Sequence, residues 1–323
     1  MREPIRIELP TLYGMKTVNA YLFLDPVPTL IDAGEKTPAS WKALTTALAE
    51  HQLKVEDIQR IIITHAHVDH MGMAGKIVAH SNAEVWVNEY CYPWAVQKEA
   101  MWDRRVQLMG KMLPESVSGT PGNFKQMILA FMQNVKNHWD NIPEEKLHVF
   151  PMEGQLNFGG GDWEVIYVPG HANMQTCFYQ REHKWLIAAD MLLRITPTAV
   201  MDASIDDPTV RDRGLAQLLE SYKKMEVLDI DIVYPGHYEP FGDHRSVIKN
   251  QVDRIHSRIQ ESYELIKGGT NDFMDILNIM YKNRVSMPAM SMLLGYLDVL
   301  EEQGKIEVKE INGRKGFFLK EQS

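Results

Sequence analysis

The sequence predicts a layered domain of mixed α and β structure, followed by a small domain of helices and one hairpin. Two observations carry the layered part. RIIITH, residues 60–65, is a continuous apolar run of the kind that forms a strand covered on both faces. It leads through a polar loop into a short helix over MAGKIVAHS and then a strand over AEVWVNE. That order is the grammar of a layered α/β fold. The third observation concerns the tail: from Asp243 onward helical patterns replace strands until a terminal hairpin.

Taken in order, Ile5 and Ile7 alternate with polar neighbours as a first strand. VNAYLFL and PTLIDAG follow as paired strands, with a turn at Asp25-Pro26. Residues 39–50 predict a helix with Ser40 as its N-cap. Residues 90–148 break the strand rhythm with two or three helices rich in Met and Trp, among them Trp94, Met101, Trp102 and Trp139. Strands resume at HVFP, 162–171, TCFYQ, 184–190 and 229–237, with a helix over 208–227. Residues 244–267 read as one long helix ended by Gly268-Gly269, then helices over 271–283 and 287–303. A hairpin turning at Asn312-Gly313 closes the chain. Helices followed by a hairpin form a winged-helix-like unit, so the expected division is 1–242 and 243–323.

Composition narrows the class. The chain has 323 residues, 34 basic and 43 acidic, for a formal net charge of −9, which offers no global attraction to phosphate backbones or anionic membranes. The segment 243–323 carries twelve basic and twelve acidic side chains, without the positive surplus of a DNA-reading module. Only Cys91 and Cys177 are present, far apart, as expected of reduced thiols in a cytoplasmic protein. MREPIRIELP has no apolar signal stretch, and no run is long enough to span a membrane.

The chemistry concentrates in ITHAHVDHMG, residues 63–72, where three histidines and an aspartate fall in six positions. In an extended chain, residues i and i+2 share a face, so His65 and His67 can aim at one point. Asp69 and His70 open a helix and point elsewhere. One pair can ligate one metal and the other pair a second, and imidazoles with a carboxylate suit zinc. Gly72 lets the chain turn closely past the metals. Three later apolar strands also end on a ligand type: VIYVPGH at His171, KWLIAAD at Asp190 and DIVYPGH at His237. Strand C-termini converging on one sheet edge are where such sites form.

This pattern resembles the metallo-β-lactamase superfamily: an acid after an early strand (Asp32), then HxHxDH at His65, His67, Asp69 and His70, then His171, Asp190 and His237. The resemblance covers about residues 5–242. It implies an α+β fold, a four-layer αββα sandwich, with one metal held by His65, His67 and His171, a second by Asp69, His70 and His237, and Asp190 bridging them. Asp32 is expected to hold a ligand imidazole or the motif loop from behind. The main zinc β-lactamases carry Cys where Asp190 stands, and flavo-diiron relatives carry Glu where His67 stands. Glyoxalase II-like members usually read HTxGH where this chain has His171-Ala172-Asn173-Met174-Gln175. The tail resembles the winged-helix appendage of the LACTB-2-like branch.

The expected activity is hydrolysis of a small ester, thioester or lactone by a hydroxide held between two divalent ions, zinc first, with iron or manganese as alternatives. Asp69 would orient that nucleophile and pass its proton to the leaving group. Tyr238 and Arg194 are candidate substrate-binding residues. Two other readings stand beside it: a nucleic-acid phosphodiesterase or endoribonuclease of the LACTB-2-like type, and a non-catalytic metal-bearing interaction protein. The expected partner is a small-molecule substrate rather than nucleic acid or membrane, with a homodimer as one way to cover the apolar insertion.

Overall fold

The structure, a computed structural model, describes residues 1–12, 15–112, 124–195, 202–205, 207, 209–282, 284, 286–311 and 314–320. Two sheets face each other. The first holds β1 (Ile5–Pro10), β2 (Thr17–Phe23), β3 (Thr29–Ile31), β4 (Arg60–Ile62), β5 (Glu84–Asn88) and β6 (Leu147–Phe150), in that spatial order. The second holds β7 (Gly154–Phe158), β8 (Gly161–Tyr167), β9 (Thr176–Gln180), β10 (Trp185–Ala189) and β11 (Ile232–Pro235), ordered from β11 to β7. β1 to β3 pair antiparallel, whereas β3 to β6 run parallel, joined by helical crossovers.

Three apolar layers define the sandwich. Between the sheets lie Tyr21, Phe23, Ile31, Ile62, Phe150, Phe158, Trp163 and Phe178. Outside the first sheet, α1 (Pro38–Glu50), α3 (Ala74–His80) and the insertion bury Leu44, Leu48, Ile77 and Trp139 against Leu30, Ile61 and Val85. Outside the second, α7 (Gly214–Glu226) and α8 (His244–Lys267) bury Leu218, Tyr222, Ile248 and Ile255 against Leu186, Ala188 and Val233. Every residue of β9 and β10 is buried, as continuous apolar strands covered on both faces require. The four-layer αββα sandwich expected from the sequence is the fold.

The insertion comprises α4 (Tyr92–Val96), α5 (Lys98–Met112) and α6 (Phe124–Val135). It is anchored by Trp94 stacked on Trp139 at 5.7 Å, with Trp102 edge-on to both. After α8 come α9 (Phe273–Tyr281), α10 (Met287–Glu302) and the hairpin of β12 (Ile306–Ile311) and β13 (Arg314–Leu319). Leu293, Tyr296 and Leu297 of α10 share one core with Leu215 and Tyr222 of α7. The Asn312-Gly313 turn lies outside the described residues. Among the described residues no helix is long and apolar enough to cross a membrane.

Three details depart from the sequence expectations. The N-cap of α1 is Thr37, not Ser40: Thr37 Oγ1 accepts from Ser40 N at 3.0 Å, with Pro38 at the first helical position. Ser40 sits one turn in and donates instead to the Pro10 carbonyl. α7 begins at Gly214 rather than near 208. β7 was not among the expected strands, although Gly159-Gly160, at φ +61° and +79°, is the glycine pair a tight hairpin demands.

Candidate metal centre

The motif loop leaves β4, whose last residue is Ile62, and stays extended through His67 (φ −84°, ψ 153°). His67 is the N-cap of α2 (Val68–Met71), so His65 and His67 lie on the extended side and Asp69 and His70 in the first helical turn. Gly72 ends that turn at φ −54°, and its role is close approach: a Cβ there would sit 2.5 Å from the His138 carbonyl oxygen.

The donor atoms converge in three overlapping groups: His65, His67 and His171; His65, His70 and Asp190; Asp69, His70 and His237, each within 4.8 Å. In the first, His67 Nδ1 lies 3.1 Å from His65 Nε2 and 2.9 Å from His171 Nε2. In the last, His237 Nε2 lies 3.5 Å from Asp69 Oδ2. Asp190 stands between the groups, with Oδ1 3.3 Å from His70 Nε2 and Oδ2 3.4 Å from His171 Nε2 and 3.3 Å from His237 Nε2. The carboxylate needs a neighbour without a side chain, because a Cβ on Gly236 would fall 2.1 Å from Asp190 Oδ1.

Supporting groups decide which ring nitrogen faces inward. Asp32, buried at φ +60°, accepts from His70 Nδ1 at 2.8 Å and from Thr64 N at 2.9 Å. Thr64 Oγ1 also reaches Asp32 Oδ2 at 2.8 Å and His65 Nδ1 at 3.0 Å. His237 Nδ1 donates to the Thr17 carbonyl. Each contact turns the opposite nitrogen, Nε2, toward the cluster. The loop bearing His237 is tied to the first sheet by Asn19, which donates through Nδ2 to Pro235 O at 2.9 Å and Tyr238 O at 2.6 Å. Thr64 and Asn19 were not among the expected site residues.

Nor was Arg105. From α5 its Nη2 lies 3.2 Å from His67 Nε2 and pairs with Asp202 Oδ1 at 2.8 Å, and its guanidinium lies over Trp94 and Trp102. The Met- and Trp-rich insertion therefore delivers a cation to the back of a candidate ligand. The expected substrate residues lie further out. Tyr238 follows His237 with a left-handed backbone (φ +69°) and is half-buried. Arg194 is exposed, 3.5 Å from Asp243 and over the Phe241 ring.

Electrostatics divide the cluster. Burial, with the neighbouring imidazoles, holds His65 well below the usual histidine range. Burial does the same to His67, helped by His171 and Arg105, and lowers His171 against the opposing pull of Asp190. On the other side, burial opposes charge on His70, yet Asp190, Asp32 and Asp69 prevail and push it well above its ordinary value. For His237, Asp190 and Asp69 outweigh burial and push it up to about 10. Burial works against ionised Asp190 and Asp69, and the charged imidazoles nevertheless keep both below the usual carboxylate range.

This donor set fits a metal. Donor nitrogens of His65, His67 and His171 lie within 4.8 Å of one another, and His70 Nε2 is buried without a hydrogen bond. An αββα sandwich with these histidines and aspartates at its strand ends defines the class: the chain belongs to the metallo-beta-lactamase superfamily, whose family profile matches residues 14–237. It is a metal-dependent hydrolase in a fold that binds divalent metals.

It is similar to the probable metallo-hydrolase YqjP of Bacillus subtilis, at 26% identity over 94% of this chain and 93% of that one. It is also similar to an atrochrysone carboxyl ACP thioesterase of Aspergillus fumigatus, at 23% identity over 71% of this chain and 53% of that protein. Among solved structures, the metallo-beta-lactamase family protein TTHA1429 from Thermus thermophilus superposes with a TM-score of 0.82 at 22% identity, covering 99% of each chain.

Proposed function

We propose that the chain hydrolyses a small ester, thioester or lactone with two divalent ions, zinc by preference. One ion would be held by His65, His67 and His171, the other by Asp69, His70 and His237, with Asp190 shared. The observation that carries this is the position of Asp190, whose oxygens lie 3.3–3.4 Å from donors of both groups. A donor set of five imidazoles and two carboxylates favours zinc over a hard, oxygen-seeking cation. Bound there, the ions supply Lewis acidity and lower the pKa of water toward neutrality.

The remaining work falls to the chain. Asp69 is the more accessible carboxylate, its side chain 17% exposed against 5% for Asp190. It can therefore take a proton from the attacking water and pass it to the leaving oxygen or sulfur. Asp32 and Thr64 keep His70 and His65 in their orientations, and Asn19 keeps the His237 loop against the first sheet. Tyr238, beside His237, is suited to donate to a developing oxyanion. A thioester is supported by the thioesterase among the relatives. Residues 243–323, with α9, α10 and the closing hairpin, are read as winged-helix-like, and their even charge speaks against nucleic acid. Buried, unpaired Cys91 and Cys177 agree with a reducing cytoplasm.

The test is elemental analysis of purified protein together with rates on a p-nitrophenyl ester, an acyl-homoserine lactone, a thioester and a short single-stranded RNA. Two zinc ions per chain and turnover of an acyl substrate are expected. Cleavage of the RNA alone, or zinc-replete protein inert on all four, would overturn the reading.

A further inference from the structure

A cavity of about 200 Å³ lies beside α4 and α5 of the insertion, walled by Tyr90, Pro93, Trp94, Met101 and Ile205. Two of its other lining residues connect it to the metal centre. Arg105 reaches His67 Nε2 at 3.2 Å, and Asn173 is two residues beyond His171 in the chain. The floor is built rather than incidental. Arg105 is clamped between Asp202 and the faces of Trp94 and Trp102, while Asn173 Nδ2 donates to Asp212 Oδ2 at 3.0 Å and to the Ala203 carbonyl.

We propose that this cavity receives the acyl chain of the substrate, an apolar group of short to medium length, with the carbonyl end toward the metal ligands. The inference rests on the hydrolase reading and adds the substrate's acyl half to it. Size decides which half enters. Pockets that enclose a drug-sized ligand run roughly 300–1,000 Å³, so this one is too small for a bulky polar carrier. Aromatic rings, a proline, a thioether and an isoleucine make up the apolar part of its lining and reward burial of methylenes, beside the polar Arg105, Asp202, Asn173 and Ser204. Of the exposed lining residues, Glu89 and Arg104 are charged and suit the water-facing rim from which the carrier would extend, beside the exposed Ile205. Met101 gives the wall an adaptable surface.

The test compares zinc-loaded protein with Met101→Trp, which fills the cavity, on p-nitrophenyl esters from acetyl to decanoyl. Ile205→Trp, on an exposed part of the wall, serves if the first variant misfolds. Calorimetry with hexanoate adds a readout free of turnover. Expected is a kcat/KM that climbs from acetyl to hexanoyl in the wild type. Because each methylene in a fitted pocket is worth roughly 10-fold or more, the variant's hexanoyl-to-acetyl ratio should collapse by at least about 10-fold. Hexanoate should bind the wild type and not the filled variant. Esters hydrolysed with a chain-length profile unmoved by both substitutions would overturn the acyl cavity and leave the hydrolase reading standing. Hexanoate binding lost in Met101→Trp, in a zinc-loaded protein inert on ester, lactone and thioester alike, would keep the cavity and defeat the hydrolase reading. Neither binding nor hydrolysis would end both.

Discussion

The two halves of the candidate metal centre share histidine as their main donor but are electrostatically opposite. The His65, His67 and His171 half consists of imidazoles that burial keeps neutral, backed by the Arg105 cation. In the Asp69, His70 and His237 half, carboxylates raise both imidazoles above the ordinary histidine value, and Asp32 stands behind His70. A cation entering the first half meets ready lone pairs. In the second, on the proposed reading, it would have to displace protons, and the carboxylates beside them would then hold the metal. Histidines in two surroundings would thus give one half open near neutral pH and one whose occupancy is linked to pH.

The largest effect should come from removing what the halves share. Asp190→Ala takes a carboxylate from both groups, and kcat/KM should fall roughly a thousand-fold or more, with the fold retained by circular dichroism. Unchanged turnover in a metal-verified Asp190→Ala protein would refute the shared role. His67→Ala should also abolish turnover, but metal analysis should show the second half still able to load.

Gly236→Ala comes next. Its Cβ would lie 2.1 Å from Asp190 Oδ1 and 2.8 Å from His70 Cε1, so the carboxylate must move. Zinc content and activity should both drop, with more damage to the second half than to the first. Asp32→Ala sharpens the contrast. Losing the carboxylate behind a ligand imidazole costs about 10- to 100-fold in metal affinity, here mainly for the site containing His70, which Asp32 touches directly, and less for that of His65, which it reaches only through Thr64. A zinc competition titration with a chromogenic chelator resolves the two constants, and equal weakening of both would contradict the division. The smallest change is Arg105→Gln. Removing a cation 3.2 Å from His67 should tighten the first half, on the order of tenfold if about 1.4 kcal/mol of repulsion is relieved.

Much of this centre was legible in the sequence because each ligand type ends an apolar strand or opens a helix, and local periodicity fixes those positions. His65 and His67 share a face for the same reason that any i, i+2 pair in an extended segment does. Arg105, Thr64 and Asn19 were not legible. Arg105 sits in a helix of the insertion and meets His67 only because Trp94, Trp102 and Trp139 pack that helix onto the first sheet. Asn19 lies in the middle of a strand and reaches a loop more than two hundred residues away. Tertiary neighbours of this kind leave no local pattern. The displaced cap of α1 has a different cause. Thr37 and Ser40 are both capping residues flanking Pro38, and the proline settles the start in favour of Thr37.

Zinc titration of metal-free protein by calorimetry, repeated at pH 7 in buffers of different ionisation enthalpy, counts the protons released by each ion. Two ions per chain should bind, the first releasing almost none and the second about two, from His70 and His237. The second constant should weaken as pH falls from about 8 to 6 while the first holds steady above about pH 6.5, the ordinary histidine value. A single ion, or equal proton release at both steps, would contradict the two-half account.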